Sequence, residues 1–208
     1  MDNQSFIPLN SLIDIQANAN PGNGGNGPIL LPVFETKGSD GQQIFTASII
    51  GPISNLVEYT LLIQVLDRAT PGQVVRLILD TQGGQVDTAV AIANAIRRSK
   101  ATVIGIANGQ VMSSASTFIF PACHKFEIRR GAIFMFHSST HNQSGKSMVI
   151  RDYAITIIDY LKQCLQMVVD LGLLEPSELE QIIEKKATIF LPGEIVKSRM
   201  LLKGHTVS

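Results

Sequence analysis

The feature that most constrains the fold is a three-part unit that occurs twice in succession along the chain. The first unit joins a short apolar run at 74–80, through a diglycine turn, to a predicted helix at 87–98, whose acidic start and basic end suit the helix dipole. The second unit joins a similar run at 101–107, through a predicted turn at 108–114, to the start of another helix. Apolar, β-branched runs of this length are typical of buried parallel strands. Their alternation with helices predicts an α/β fold of repeated βαβ units with a mainly parallel sheet.

The rest of the sequence predicts one domain preceded by an arm. Residues 1–28 end in Asn-Ala-Asn-Pro-Gly-Asn-Gly-Gly-Asn-Gly-Pro, a composition that indicates a flexible arm or linker. From residue 29 the pattern is regular, so 29–208 is predicted to form the domain. Its other predicted elements are two strands within 29–50, a helix at 55–68, strands at 125–130 and 132–139, and helices at 147–171 and 175–186.

Composition excludes several classes of function. Formal net charge is zero, without the clustered Lys and Arg that nucleic-acid binding requires. No stretch reaches the roughly 18 apolar residues of a spanning helix, and the N-terminus lacks the pattern of a signal peptide. We therefore expect a cytoplasmic protein without membrane or nucleic-acid partners. Apolar residues make up 45% and charged residues 16%, so we expect other copies of the chain to cover part of the surface.

The cysteines and histidines do not predict a metal or a disulfide. Cys123 and Cys164 lack paired spacing, which favours two small buried thiols in a reducing compartment. His124, His141 and His205 have no metal-ligand spacing with each other or with the cysteines. No metal and no cofactor are therefore predicted.

The two glycine-containing turns predict a site for nucleophilic catalysis. Both follow apolar strands, at the edge of a parallel sheet where chemistry tends to occur. Ser113 and Ser114 begin the helix of the second unit, and His137 ends a later apolar strand. A hydroxyl beside a neutral imidazole can act as a nucleophile. Backbone N–H groups near Gly83, Gly84 and Ser114 could bind a developing oxyanion, because glycine lets a substrate approach closely.

Each of these residues also has a structural interpretation, which the residues alone leave open. Serines at a helix start commonly cap or pack. A diglycine after a strand can simply form a tight turn. One histidine at the end of a strand is commonly a hydrogen-bonded structural residue.

Taken together, these motifs resemble the ClpP family of serine peptidases, within the wider ClpP/crotonase fold. The resemblance extends from about residue 44 to 202 and keeps the family's order and nearly its spacing. The segments that carry it are 44–54, 77–96 with the diglycine turn, 109–116 with the nucleophile turn, 133–139 with the histidine, 144–157 and 189–201. Segment 144–157 resembles the family's handle, in which a glycine-rich strand leads into a long helix.

The resemblance implies roles for individual residues and for the assembly. Ser113 would be the nucleophile, His137 the general base, and the N–H groups of Gly84 (or Gly83) and Ser114 the oxyanion hole. Rings of seven subunits would stack in pairs through the handle helix. The rings would enclose a chamber that peptides enter from an AAA+ unfoldase.

The chain also departs from the family's pattern. Gln82 stands where the family has Pro before its glycines, and Thr188 stands where the family has its catalytic Asp. Glu184, one helical turn earlier, is another candidate to approach the histidine. Altering the Asp in trypsin-like enzymes lowers kcat about 10⁴-fold. The resemblance therefore implies a serine endopeptidase with a substituted third member. The alternative is a weak or inactive structural or regulatory subunit that assembles with a ClpP paralogue.

A third hypothesis is another enzyme of the crotonase fold, which would use the same N–H groups to stabilise a thioester enolate. Serine and histidine at the peptidase positions argue against it.

Overall fold

One sheet carries the fold in the computed structural model, which describes residues 30–138 and 147–208. The strand order is β1-β2-β3-β4-β6-β7, with β5 paired to the first half of β4. All strand pairs among β2, β3, β4, β5 and β6 are parallel, whereas the two edge pairs, β1 with β2 and β6 with β7, are antiparallel. This arrangement confirms the predicted α/β fold. The strands are β1 (Val33–Lys37), β2 (Gln43–Ile50), β3 (Val74–Thr81), β4 (Thr102–Met112), β5 (Lys125–Ile128), β6 (Ile133–Phe136) and β7 (Ile189–Pro192).

Helices follow the strands much as the sequence predicts. A 3₁₀ turn at Leu56–Tyr59 leads into the first helix, and a π-helical turn at Ala115–Ile119 leads into the third. The helices are α1 (Thr60–Arg68), α2 (Val86–Arg98), α3 (Phe120–Ala122), α4 (Ser147–Asp170), α5 (Pro176–Lys185) and α6 (Gly193–Leu202). Within the described ranges, no helix combines the length and apolar character that crossing a membrane would need.

The core lies against the central strands. Alternate residues of β3 are buried, and α2 buries one face against the same core. Fully buried side chains include Leu77 and Leu79 on β3, Ile92 and Ile96 on α2, and Phe134 on β6. Burial of such side chains contributes about 1.5–3 kcal/mol each. The parallel strands that lead to the predicted site are therefore anchored in the core.

The predicted turn at 108–114 is wrong in its first part, because Asn108–Met112 continues β4. The β3–β4 register shifts between Leu79 and Thr81, which makes room for extra residues in β4. Asp80 holds the irregularity, since its carboxylate accepts the Gln110 N–H at 2.9 Å. A Cβ on Gly109 would lie 2.5 Å from the Asp80 carboxylate, so this position suits glycine. Beyond the irregularity, β4 pairs with β6 and carries the chain further toward the histidine.

Both cysteines are buried and unpaired, as the sequence predicts. Burial raises the pKa of the Cys123 thiol to about 12 and also raises the pKa of Cys164. Since the thiolate is the reactive form, neither cysteine is suited to nucleophilic chemistry at neutral pH.

Three expectations concern parts of the chain outside the described residues. These are the N-terminal arm 1–28, the handle strand that would precede α4, and the surroundings of His141.

Candidate active site

The structure brings Ser113 and His137 together at the carboxyl ends of neighbouring parallel strands. Ser113 directly follows β4 and His137 directly follows β6, and Met112 pairs with Met135 in the sheet. The Ser113 Oγ lies 2.8 Å from the His137 Nε2, within hydrogen-bond distance. Both side chains are half-buried, so a substrate can reach them. A hydroxyl hydrogen-bonded to an imidazole nitrogen is the arrangement that nucleophilic catalysis by serine requires.

Ser113 has an unusual backbone conformation. Its φ of +56° lies in the left-handed region, which a residue other than glycine adopts rarely and at a cost of about 1–3 kcal/mol. A sharp bend of this kind between a strand and a helix projects the side chain outward. It separates the Oγ from the helix that follows and turns it toward His137.

Hydrogen bonds to β6 and to the helical turn that follows hold this bend in place. The Ser113 N–H donates to the Met135 carbonyl at 2.8 Å, and the Thr117 N–H donates to the Ser113 carbonyl at 3.0 Å. The Ser116 hydroxyl lies 2.6 Å from the Met135 carbonyl and 2.9 Å from the Ser113 carbonyl, so its single proton can serve either acceptor. Ser116, like the other serines at this helix start, was expected either to cap or to pack, and here its hydroxyl contacts the backbone of both the bend and β6.

The diglycine turn lies directly against the nucleophile bend. Gly83 has φ +87°, and its N–H donates to the Thr81 hydroxyl at 3.0 Å. Its carbonyl accepts the Ile53 N–H at 2.8 Å, so a neighbouring loop fixes the turn from the far side. A Cβ on Gly83 would lie 2.5 Å from the Met112 carbonyl and 2.7 Å from the Ser113 Cβ. Glycine is therefore required here both for its backbone conformation and for space.

We expect Gly83→Ala to destabilise the protein and to disrupt the Ser113–His137 contact. Overpacking and strain together predict a loss of about 2–5 kcal/mol in unfolding free energy. Gly72→Ala is a matched control, because Gly72 has a similar φ of +90° but no atom within 4 Å of its Cβ position. Chemical denaturation measures both variants. Equal losses at the two positions would show that backbone strain alone, and not the contact with the nucleophile bend, makes Gly83 necessary.

The two backbone N–H groups predicted to bind an oxyanion, those of Gly84 and Ser114, differ in their hydrogen bonding. The Gly84 N–H donates to the Ser114 Oγ at 2.9 Å. No acceptor for the Ser114 N–H is found among the described residues. Both residues line the same cavity as Ser113 and His137. The Ser114 N–H also lies at the start of the π-helical turn, where intrahelical bonding leaves N–H groups unpaired.

Thr188 follows α5 and directly precedes β7, the strand antiparallel to β6. Phe136 pairs with Ile189, so continuing the register by one residue places Thr188 opposite His137. Thr188 is exposed. Within 30–138 and 147–208, the His137 Nδ1 has no hydrogen-bond partner, and Glu184 forms no ion pair or hydrogen bond with this ring. The structure therefore places Thr188 at the expected position but not in hydrogen-bond contact with the histidine.

A cavity of about 520 Å³ opens beside the serine and histidine. Its wall is partly polar, with Asp87 and Tyr160 near the more apolar side chains. The apolar side chains that line it are Val86, Val90, Phe118, Ile157 and Leu161. A volume of this order accommodates several side chains of an extended peptide.

Comparison with known proteins identifies the family. Comparison with curated proteins gives no match to the chain. The model of the Clp protease family, in contrast, matches residues 42–193. That range includes β2, both βαβ units, the serine, the histidine and the position of Thr188. The chain therefore belongs to the Clp protease family.

Proposed function

We propose that the protein is a ClpP-type serine endopeptidase whose reaction centre is the pair Ser113 and His137. The observation that carries this proposal is the 2.8 Å contact between the Ser113 Oγ and the His137 Nε2. The backbone bend at Ser113 supports it, because a strained conformation held by a network of hydrogen bonds is typical of functional residues.

The proposed reaction has two stages. In the first, the Ser113 Oγ attacks the scissile carbonyl carbon while the His137 Nε2 accepts the hydroxyl proton. The resulting imidazolium gives that proton to the leaving amine as the C–N bond breaks, which leaves an acyl-enzyme. In the second stage, His137 takes a proton from water as the water oxygen attacks the acyl carbon. The bond between the acyl carbon and the Ser113 Oγ then breaks, the proton passes from His137 to the Oγ, and the carboxylic acid product leaves.

Backbone N–H groups would stabilise the negative charge that develops on the carbonyl oxygen. The candidates are the N–H groups of Gly84 and Ser114, which line the cavity beside the nucleophile. Preorganised donors of this kind are worth about 10²–10³ in kcat each. Gly83 has a supporting part, since its own N–H already donates to Thr81 and its lack of a Cβ leaves space for the bend.

The substitution at Thr188 makes the proposed enzyme slow. A carboxylate at this position would fix the imidazole tautomer and stabilise the imidazolium. A threonine hydroxyl can accept a hydrogen bond from the Nδ1–H, but it carries no charge. Catalysis by the serine, histidine and oxyanion donors would remain above the uncatalysed rate.

We further propose that the chain works as stacked rings, of seven subunits in the family's pattern, that enclose the site in the cytoplasm. An AAA+ unfoldase would supply unfolded substrates to the chamber. Several large apolar side chains are exposed in the single chain, which supports burial between copies. They include Phe34, Ile50, Leu56, Val57, Ile158, Met167, Phe190 and Leu202.

Covalent labelling tests the proposed function. A fluorophosphonate forms an adduct with an activated serine, so we expect one adduct per chain on Ser113, located by peptide mass spectrometry. Ser113→Ala should remove the label. Ser48→Ala is the control, because Ser48 is half-buried on β2 and does not line the cavity, and it should keep the label. A folded protein that takes no label, or takes it on another serine, would contradict the proposal.

A second candidate function is a structural or regulatory subunit with little activity of its own. The threonine at position 188, where the family has its catalytic Asp, favours it, because a hydroxyl cannot supply the charge of a carboxylate. Such a subunit would form mixed rings with a catalytically complete paralogue. Native mass spectrometry of a mixture with that paralogue tests this function, and failure to form mixed assemblies would exclude it.

A further inference from the structure

We infer that the Ser114 hydroxyl caps the Gly84 N–H in the resting enzyme and that substrate must displace this cap before the oxyanion is stabilised. This inference rests on the proposed function and deepens it. It assigns a role to the side chain of Ser114, in addition to its backbone N–H. Ser114 would act as a positioning residue that holds the oxyanion hole closed.

The contacts of Ser114 carry the inference. Its Oγ accepts the Gly84 N–H at 2.9 Å, which is a normal distance for a full hydrogen bond. Ser114 is 2% exposed as a residue, so the acceptor side of this bond is shielded from water. The residue nevertheless lines the cavity beside Ser113 and His137, where a substrate carbonyl would arrive. The hydroxyl therefore already accepts the N–H that a substrate carbonyl in this cavity would use.

Competition for one proton makes the cap inhibitory. Gly84 has a single N–H, and a well-formed hydrogen bond uses it for one acceptor. An oxyanion that is to accept this proton must replace the serine oxygen, and the Ser114 side chain must turn away. The reaction thus loses a neutral hydrogen bond before it gains a charge-assisted one. Neutral hydrogen bonds contribute a net stabilisation that corresponds to roughly two- to tenfold in rate.

The cap also gives the Gly84 N–H a hydrogen-bond acceptor when no substrate is bound. Gly84 is fixed by the bridge between Ile53 and Gly84, so its N–H cannot turn toward another acceptor. The acceptor belongs to Ser114, which directly follows the nucleophile Ser113 and precedes the π-helical turn.

Removing the hydroxyl tests the inference. We expect Ser114→Ala to raise kcat for a fluorogenic peptide roughly two- to tenfold, with KM nearly unchanged, because the effect arises in the transition state. Fluorophosphonate labelling of Ser113 should accelerate by a similar factor. Ser114→Cys keeps the shape with a weaker acceptor, and its rate should fall between those of serine and alanine. Ser48→Ala, on β2, should match the wild type.

The outcomes separate the inference from the proposed function. If wild type and both Ser114 variants label on Ser113 at equal rates, the cap has no kinetic role and the inference alone is overturned. A fall in kcat for Ser114→Ala would also overturn it, because the hydroxyl would then donate to the oxyanion itself. Folded proteins that neither label nor hydrolyse peptide, in the wild type and all variants, would overturn both. Melting temperatures verify that each variant is folded.

Discussion

Thr188→Asp is expected to raise kcat by about 10²- to 10⁴-fold, since altering the triad aspartate lowers kcat by about 10⁴-fold in serine proteases. The β6–β7 register places residue 188 opposite His137. A carboxylate there can accept the Nδ1–H and stabilise the imidazolium that forms during attack. Thr188 is exposed, so the substitution should change stability little. Steady-state hydrolysis of a fluorogenic peptide measures the effect.

Thr188→Asn is the matched control for this prediction. Asparagine has the shape of aspartate and can accept a hydrogen bond, but it has no charge. We expect it to produce a small part of the gain. If aspartate and asparagine have the same kcat as threonine, residue 188 does not reach the histidine, and another group must orient the ring.

His137→Ala is expected to have an effect that depends on residue 188. In the natural chain, we expect kcat to fall by about 10²-fold, because a serine–histidine pair without its carboxylate contributes only part of the effect of a triad. In the Thr188→Asp background, the loss should increase to about 10⁴- to 10⁶-fold, since the carboxylate acts only through the imidazole. Kinetics of the two single variants and the double variant measure this coupling.

His205→Ala serves as the control histidine. Its ring packs against Phe126 and does not line the cavity, so kcat should stay unchanged. Additive effects of the changes at 137 and 188 would contradict the expected coupling. In that case, the gain from aspartate would come from substrate binding or from the general electrostatic field.

The fold and the central pair were predictable because they depend on regular patterns. Apolar β-branched runs followed by glycine turns indicate parallel strands, and parallel strands place their carboxyl ends at one edge. Ser113 and His137 each follow such a run, so their proximity follows from the order of elements. The family resemblance added the order of six segments, and the match over residues 42–193 agrees with it.

Other features depend on contacts that local sequence does not encode. The continuation of β4 through Asn108–Met112 depends on Asp80, which is distant in sequence, and on pairing with β6. Polar and glycine residues in that stretch resemble a turn because the sequence does not show the partner strand. The left-handed conformation of Ser113 and the bond between Ser114 and Gly84 likewise arise from packing between separate units.

The short strand β6 positions both the nucleophile bend and the histidine. The Met135 carbonyl anchors the nucleophile bend, and His137 follows only two residues later. A slip of this four-residue strand would move the imidazole and release the bend in the same event. Ser113 and His137 would then lose their alignment in one step. Any contact that fixes the position of β6, such as pairing with β7 or packing against a neighbouring copy, would switch the Ser113–His137 pair between aligned and misaligned states.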